Sequence, residues 1–305
     1  MKPTVVILLS DKRSGSTQFE RELCKHPDVQ HVGYCPHSYS ETQHWLKAAV
    51  VLEQPPERFS GGRPYRGHGG RRGARAMLID QVLGEVPGFE VPADDRALVF
   101  EGWEAICHRR AAPVFFEKSP QHLAHPAALD LMLEWAERTA FDVRFIGLVR
   151  NPSAVLCSAW ELFGTAPEDR MEGWVEIHRN LLAVRERVGR DRLLEVSYES
   201  MVTDPRGVFR RVQAFIGVDE DSTMGADVHG QSIDRWRSNE RFGYRPSESL
   251  LEMAERFGYP AEEVRPPEGR PVASRPRRRV ARIRKLMRNR ILVPAWTRLK
   301  HGGRT

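Results

Sequence analysis

With 305 residues, 40% of them apolar, the chain can bury a sizeable core as one large α/β domain or two smaller ones. Its formal charge of +6 is unevenly spread: residues 265–305 hold fourteen Lys and Arg against one acid, Glu268, whereas residues 1–264 hold 33 basic and 40 acidic side chains. The basic balance therefore belongs to the C-terminal tail and gives no reason to expect nucleic-acid binding by the remainder.

In chain order, Val5 to Leu9 is a short continuous apolar run, the pattern of a strand buried on both faces of a parallel sheet. A polar turn follows, Ser10-Asp11-Lys12-Arg13-Ser14-Gly15-Ser16-Thr17. An amphipathic helix through Phe19 and Leu23 comes next and stops at Pro27. Strand, tight loop and helix together aim backbone N–H groups at an anion. Lys12 and Arg13 add charge, and the hydroxyls of Ser14, Ser16 and Thr17 add donors. A nucleotide triphosphate loop would read G-x-x-x-x-G-K-[ST]; here Ser10 stands for the first Gly and Ser16 for the Lys. The plainer alternative is a helix start capped by Ser14 or Ser16.

The segment 26–41 reads as a strand entry and a polar loop, and 42–53 as a helix. Residues 60–75, SGGRPYRGHGGRRGAR, have no periodicity and read as a surface loop, with a basic lid as the alternative. Met77 to Leu83 is helical. Ala97–Phe100 and Pro113–Phe116 read as strands, the second leading through Glu117-Lys118-Ser119-Pro120 into a helix that ends near Trp135. Val143–Val149 is the clearest later strand. It is followed by helices over 151–163 and 170–188, a strand over Leu193–Val196, a helix over Pro205–Ile216 and a last helix over Pro246–Phe257. This alternation predicts a parallel, doubly wound α/β sheet with helices on both faces and right-handed crossovers, in a single domain over 1–264 with the tail 265–305 appended.

The second strand–turn–helix unit, FIGLVRNPSAVLCSAW, places Arg150 at a strand end and Ser158 eight residues on, within the helix. An Arg there offers a permanently charged, planar fork for phosphate oxygens. The alternative is an Arg paired with a sheet carboxylate and a small packing Ser. The two units together resemble the phosphate-binding elements of sulfotransferases, which use 3′-phosphoadenosine-5′-phosphosulfate (PAPS) as donor and release 3′,5′-ADP (PAP). The first resembles the family's [KR]-[ST]-G-[ST]-T loop, the second its R-N-P…S unit. LLEVSYESMVTDPRGVFRRVQAFIGV (193–218), Ile233-Asp234-Arg235-Trp236-Arg237 and Phe257-Gly258-Tyr259 resemble later family segments, so the likeness runs through most of 4–260. Asp234 stands where the family has Gly.

The resemblance implies a P-loop-like fold and these roles. Lys12, Arg13, Ser14, Gly15, Ser16 and Thr17 would hold the 5′-phosphosulfate, with Arg13 stabilising the leaving oxygen. Arg150 and Ser158 would hold the 3′-phosphate, Tyr198 would lie against adenine, and Arg235 would add a donor contact. Glu117-Lys118-Ser119-Pro120 matches the family's E-K-[ST]-P, in which Lys118 would face the sulfonyl group or acceptor; otherwise it is a helix start with Ser119 as cap. Glu41 matches the Glu of a K-E-T-x-[FY]-[FW] segment and is the candidate base, although Ser40 replaces the Lys. His37 and His44 are its rivals, and Glu101 is a further candidate for substrate contact. No metal is needed, and no ligand set stands out.

Four widely spaced cysteines without C-x-x-C pairing argue against zinc or a disulfide framework and for a reducing compartment. With no leader or membrane-spanning run, the expectation is a cytoplasmic transferase, its Arg-rich composition fitting a GC-rich bacterial genome. In the tail, Val280, Ile283, Leu286, Met287, Ile291 and Leu292 recur at helical spacing among basic residues. That pattern suits a basic helix on an anionic membrane, a helix on a partner subunit, or a solvated tail. The acceptor class stays open: a hydroxyl or amine on a carbohydrate, glycolipid or small natural product. Competing readings are a P-loop small-molecule kinase and a nucleotide- or glycan-binding protein without activity.

Overall fold

The computed structural model describes residues 2–37, 40–228, 230 and 233–273; the predicted tail helix lies outside them. The elements run β1 (Thr4–Ser10), α1 (Ser16–Leu23), β2 (Val29–Gln30), α2 (His44–Val51), α3 (Gly70–Glu85), α4 (Asp95–Arg110), β3 (Val114–Lys118), α5 (Pro126–Arg138) and β4 (Asp142–Val149). They continue with α6 (Pro152–Phe163), α7 (Pro167–Val188), β5 (Leu193–Ser197), α8 (Tyr198–Thr203), α9 (Pro205–Ile216), α10 (Arg235–Ser238), α11 (Glu248–Glu255) and α12 (Ala261–Val264). They gather into two compact units, one of 1–150 with 175–230, the other of 151–174 with the residues from 231 on.

The first unit holds the whole sheet, ordered β2-β3-β1-β4-β5, with every neighbouring pair parallel. All seven residues of β1 are buried, as the central position between β3 and β4 demands. Adjacent residues of a strand point to opposite faces, and β3 shows what covers each. Phe116 meets Phe19 of α1 at 6.3 Å, and Phe19 meets Phe209 of α9 at 5.4 Å. Phe115 meets Trp103 of α4 at 5.8 Å, and Trp103 packs on Trp45 of α2 and Trp135 of α5. Helices thus cover both faces. Each aromatic ring buried there contributes about 1.5–3 kcal/mol relative to exposure.

Most boundaries follow from capping. Asp94, Asn151, Ser197, Asp204 and Ser247 accept first-turn N–H groups of α4, α6, α8, α9 and α11. Two expectations are overturned. Ala97–Phe100 is not a strand but the first turns of α4, because Asp94 caps at Ala97 N (2.7 Å) and the apolar spacing continues helically through Trp103 and Ile106. Glu101 is consequently an exposed helical residue and not a strand end. The segment 60–75 is a loop only in part. Ser60–Gly62 forms a 3₁₀ turn, and α3 begins at Gly70 behind the left-handed Gly69.

In the second unit, Asn151 caps α6 and its Nδ2 donates to Glu263 O (2.9 Å). Ser153 Oγ lies 2.7 Å from Tyr244 Oη and 2.5 Å from Val264 O, so the start of α6 is fastened to the segment around α12. No described helix is long and apolar enough to cross a membrane.

Candidate active site

An all-parallel sheet brings the C-terminal ends of its strands to one edge, and ligands of such folds bind there, beside the strand at which the chain reverses its winding. Here that strand is β1. After visiting β2 and β3 on one side, the chain crosses to β4 and β5 on the other. The register sets Leu8 beside Lys118, Ser10 beside Leu148 and Val149 beside Ser197. The loop after β1, Lys118, Arg150 and Tyr198 therefore share one edge.

The loop turns through Arg13 at φ 77 and Gly15 at φ 93, both left-handed. Gly15 precedes α1 without any side-chain cap, which leaves the first-turn N–H groups directed outward from the helix start. A Cβ on Gly15 would stand 2.4 Å from the Tyr198 ring, so only Gly fits, for conformation and for space. The hydroxyls of Ser10 and Ser14 are buried and make no hydrogen bond to the described residues. Such orphaned donors suit a bound anion oxygen.

Arg150 follows β4 directly and is 7% exposed. Its Nη1 donates to Arg13 O at 2.9 Å, and its guanidinium lies 4.1 Å above the Tyr198 ring. Tyr198, capped into α8 by Ser197, has one face under Arg150 and one edge against Gly15. The two phosphate elements expected from separate stretches of sequence thus touch through a backbone carbonyl and a shared aromatic support. Tyr198 braces them. Ser158 on α6 and Arg235 at the start of α10 belong to the second unit, where Arg235 pairs with Glu161 at 3.1 Å.

Lys118 is buried, with Nζ 3.1 Å from Glu20 Oε2 and 3.3 Å from Glu41 Oε1. Two of the three expected catalytic residues, Glu41 and Lys118, are therefore in contact. Glu20 was not singled out from sequence. It lies four residues beyond Ser16, hence on the same helix face as the start of α1, and that spacing is the signal that could have found it. Burial raises the Glu20 carboxyl above its ordinary range, partly offset by Lys118.

Glu117 also escaped attention. Its fully buried Oε1 accepts from Thr42 Oγ1 (2.7 Å) and Ser119 Oγ (2.5 Å), and Ser119 Oγ accepts from Gln43 N (2.9 Å). Burial pushes the Glu117 carboxyl up to about 7, against the pull of those hydroxyls. His122 approaches Glu117 Oε2 to 3.8 Å, but burial keeps the ring neutral, so this contact is not an ion pair.

The rival histidines are placed differently. His44 is wholly buried between Trp45 and Trp103, with Nε2 3.0 Å from Val99 O, and burial takes it down to about 3. It is a neutral core residue. His37 is half-buried against His68, 5.3 Å between rings, and burial lowers it to about 4.

A model of the sulfotransferase family matches residues 3–222, and the chain belongs to that family. Among solved structures, the chain is similar to the sulfotransferase domain of the Synechococcus PCC 7002 olefin synthase, at 22% identity and a TM-score of 0.59, covering 84% of this chain and 94% of that one. It is also similar to the sulfotransferase domain of the curacin biosynthetic pathway, at 18% identity and a TM-score of 0.56, covering 84% of this chain and 98% of that one. These likenesses extend the family assignment to the fold. No curated protein matches the chain.

Proposed function

We propose that this member of the sulfotransferase family moves a sulfonyl group from PAPS to a hydroxyl or amine of an acceptor such as a carbohydrate, glycolipid or small natural product. The observation that carries this reading is the coupling of Arg150 to the Ser10–Thr17 loop through Arg13 O and Tyr198. A phosphate loop alone serves many nucleotides; a buried Arg fixed to it from the next strand end suits a donor with two separated phosphates. The orphaned Ser14 hydroxyl and the N–H groups at the start of α1 fit one of them.

When bound, PAPS supplies a sulfonyl group on a bridging oxygen that departs with its electron pair as PAP. Lys12, Arg13, Ser14, Gly15, Ser16 and Thr17 hold the 5′ side. Arg13 places fixed positive charge where the leaving oxygen becomes anionic, an effect of about 10²–10³ in rate for a well-placed donor. Arg150 would hold the 3′-phosphate. Glu41 takes the proton of the acceptor hydroxyl as its oxygen forms the new bond to sulfur. Lys118, between Glu41 and Glu20, pairs with the Glu41 carboxylate and faces the group in transit.

The test is a screen of phenols, alcohols and monosaccharides with labelled PAPS, run beside ATP and Mg²⁺. Sulfonyl transfer from PAPS with no phosphoryl transfer from ATP is the expected result. ATP turnover would replace this reading with a kinase. Binding of 3′,5′-ADP without transfer to any acceptor would replace it with a binding protein. Cytoplasmic residence is part of the same proposal and would be read by fractionation.

A further inference from the structure

The turn that carries Glu41 is held in an unfavourable shape. Ser40 (φ 55) and Gln43 (φ 48) both have left-handed backbones, and neither is glycine. Residues in that region persist only where the surroundings fix them. Four hydrogen bonds do so here. Thr42 Oγ1 and Ser119 Oγ donate to the same buried oxygen, Glu117 Oε1. Ser119 Oγ accepts the Gln43 N–H, and Thr42 Oγ1 accepts the His44 N–H at 3.2 Å.

Glu117 and Lys118 are consecutive on β3 and so point to opposite sides of the strand. Their partners are consecutive too: Glu117 takes Thr42, and Lys118 takes Glu41. One strand end thus ties the turn down on one side and presents the cation to its carboxylate on the other.

We propose that Glu117 is a positioning residue. Through Thr42 and Ser119 it clasps the turn Ser40–Gln43 to the end of β3 and thereby sets Glu41 opposite Lys118. The inference rests on the reading of Glu41 as the acceptor's base. Glu117 itself touches no reacting atom; its Oε1 accepts from the two hydroxyls. An amide could replace it, since Gln retains an oxygen that accepts from both. A hydrocarbon could not.

The experiment compares Glu117→Leu, Glu117→Gln and Ser119→Ala in the full chain, each alone and with Glu41→Gln. Three quantities are read: turnover of labelled PAPS with the acceptor returned by the screen above, affinity for 3′,5′-ADP, and hydrogen exchange of the Gln43 amide. A displacement of about 1 Å at a reacting group lowers rate by about 10²-fold, and a loss of that order in kcat is expected for Glu117→Leu. Acceptor KM and 3′,5′-ADP affinity should stay within a factor of about three, the small change expected when binding contacts are untouched. Glu117→Gln should restore most of the rate. In the Glu41→Gln background, Glu117→Leu should cost nothing further, because the two act through one group.

Ser119→Ala keeps the core charge and volume nearly intact, so it remains informative if Glu117→Leu does not fold. It should speed exchange at Gln43 and lower kcat. Unchanged Gln43 exchange in Ser119→Ala, or losses from Glu117→Leu and Glu41→Gln that simply multiply, would overturn the proposal. Should no protein transfer a sulfonyl group while Gln43 exchange still responds, the clasp stands and the catalytic reading it serves falls.

Discussion

The strand ends that form the proposed anion site and the turn that carries Glu41 are built from different material. The Ser10–Thr17 loop is set by its own chain: a buried strand before it, a helix after it, and left-handed Arg13 and Gly15 within it. The Glu41 turn runs into α2, whose His44 N–H it bonds through Thr42 Oγ1, but it leans further afield as well. Glu117 and Ser119, more than seventy positions away, fasten it through single hydrogen bonds. The difference teaches that affinity for the donor and rate of transfer should respond to separate sets of substitutions.

The largest separation is expected from Glu41→Gln, which should lower turnover by about 10²–10⁴-fold, the usual contribution of a positioned base, and leave 3′,5′-ADP binding as it was. Undiminished turnover would move the base to another group, with Glu20 the nearest carboxylate to Lys118. Next comes Arg150→Ala. Hydrogen bonds to charged groups contribute about 1.5–3 kcal/mol, so the preference for 3′,5′-ADP over 5′-AMP should fall by about one to two orders of magnitude. Calorimetry on the two ligands reads it; a retained preference would place the 3′-phosphate elsewhere. Gly15→Ala should weaken both ligands alike and lower stability by about 1–2 kcal/mol for the left-handed backbone alone, with the Tyr198 clash added. Wild-type binding and melting in that variant would show that the loop shape is not fixed by Gly15.

A separate effect is expected on stability with pH. His44 lies at about 3 and His37, His68 and His125 at about 4, below the ordinary 6.5, chiefly through burial. Neutral rings therefore stabilise the fold above pH 6.5, and that contribution is lost as pH falls toward 4. Glu117 runs the other way: raised from 4.5 to about 7, it favours the fold at low pH and loses that contribution as pH rises through 7. Thermal melts should show stability falling from pH 6.5 to 4, less steeply in His44→Phe and more steeply in Glu117→Gln. The same slope in all three proteins would contradict these assignments.

How far the sequence revealed each region follows the same division. The first strand, its loop and α1 are contiguous, so apolar run, Gly and hydroxyls could be read together. Arg150 was visible for the same reason, as the residue after a clear strand. The parallel, doubly wound sheet was legible because strands alternating with helices leave few topologies, whereas the strand order was not read. Ala97–Phe100 misled because four apolar residues do not distinguish a strand from a helix, and the decisive Asp94 cap lies outside that window. His44 looked like a base because its enclosure by Trp45 and Trp103 is tertiary. Glu20 and Glu117 were passed over because their partners are distant in sequence. Charge on a helix surface and the first letter of a short motif carry no sign of what they will meet.

Titration of the unaltered protein with 3′,5′-ADP and with 5′-AMP bears most directly on the claim that Arg150 and the Ser10–Thr17 loop form one site for a donor carrying two separated phosphates. Binding of 3′,5′-ADP tighter by at least an order of magnitude, about the 1.4 kcal/mol of a single charge-assisted contact, is the predicted result. Equal affinities for the two ligands would contradict it.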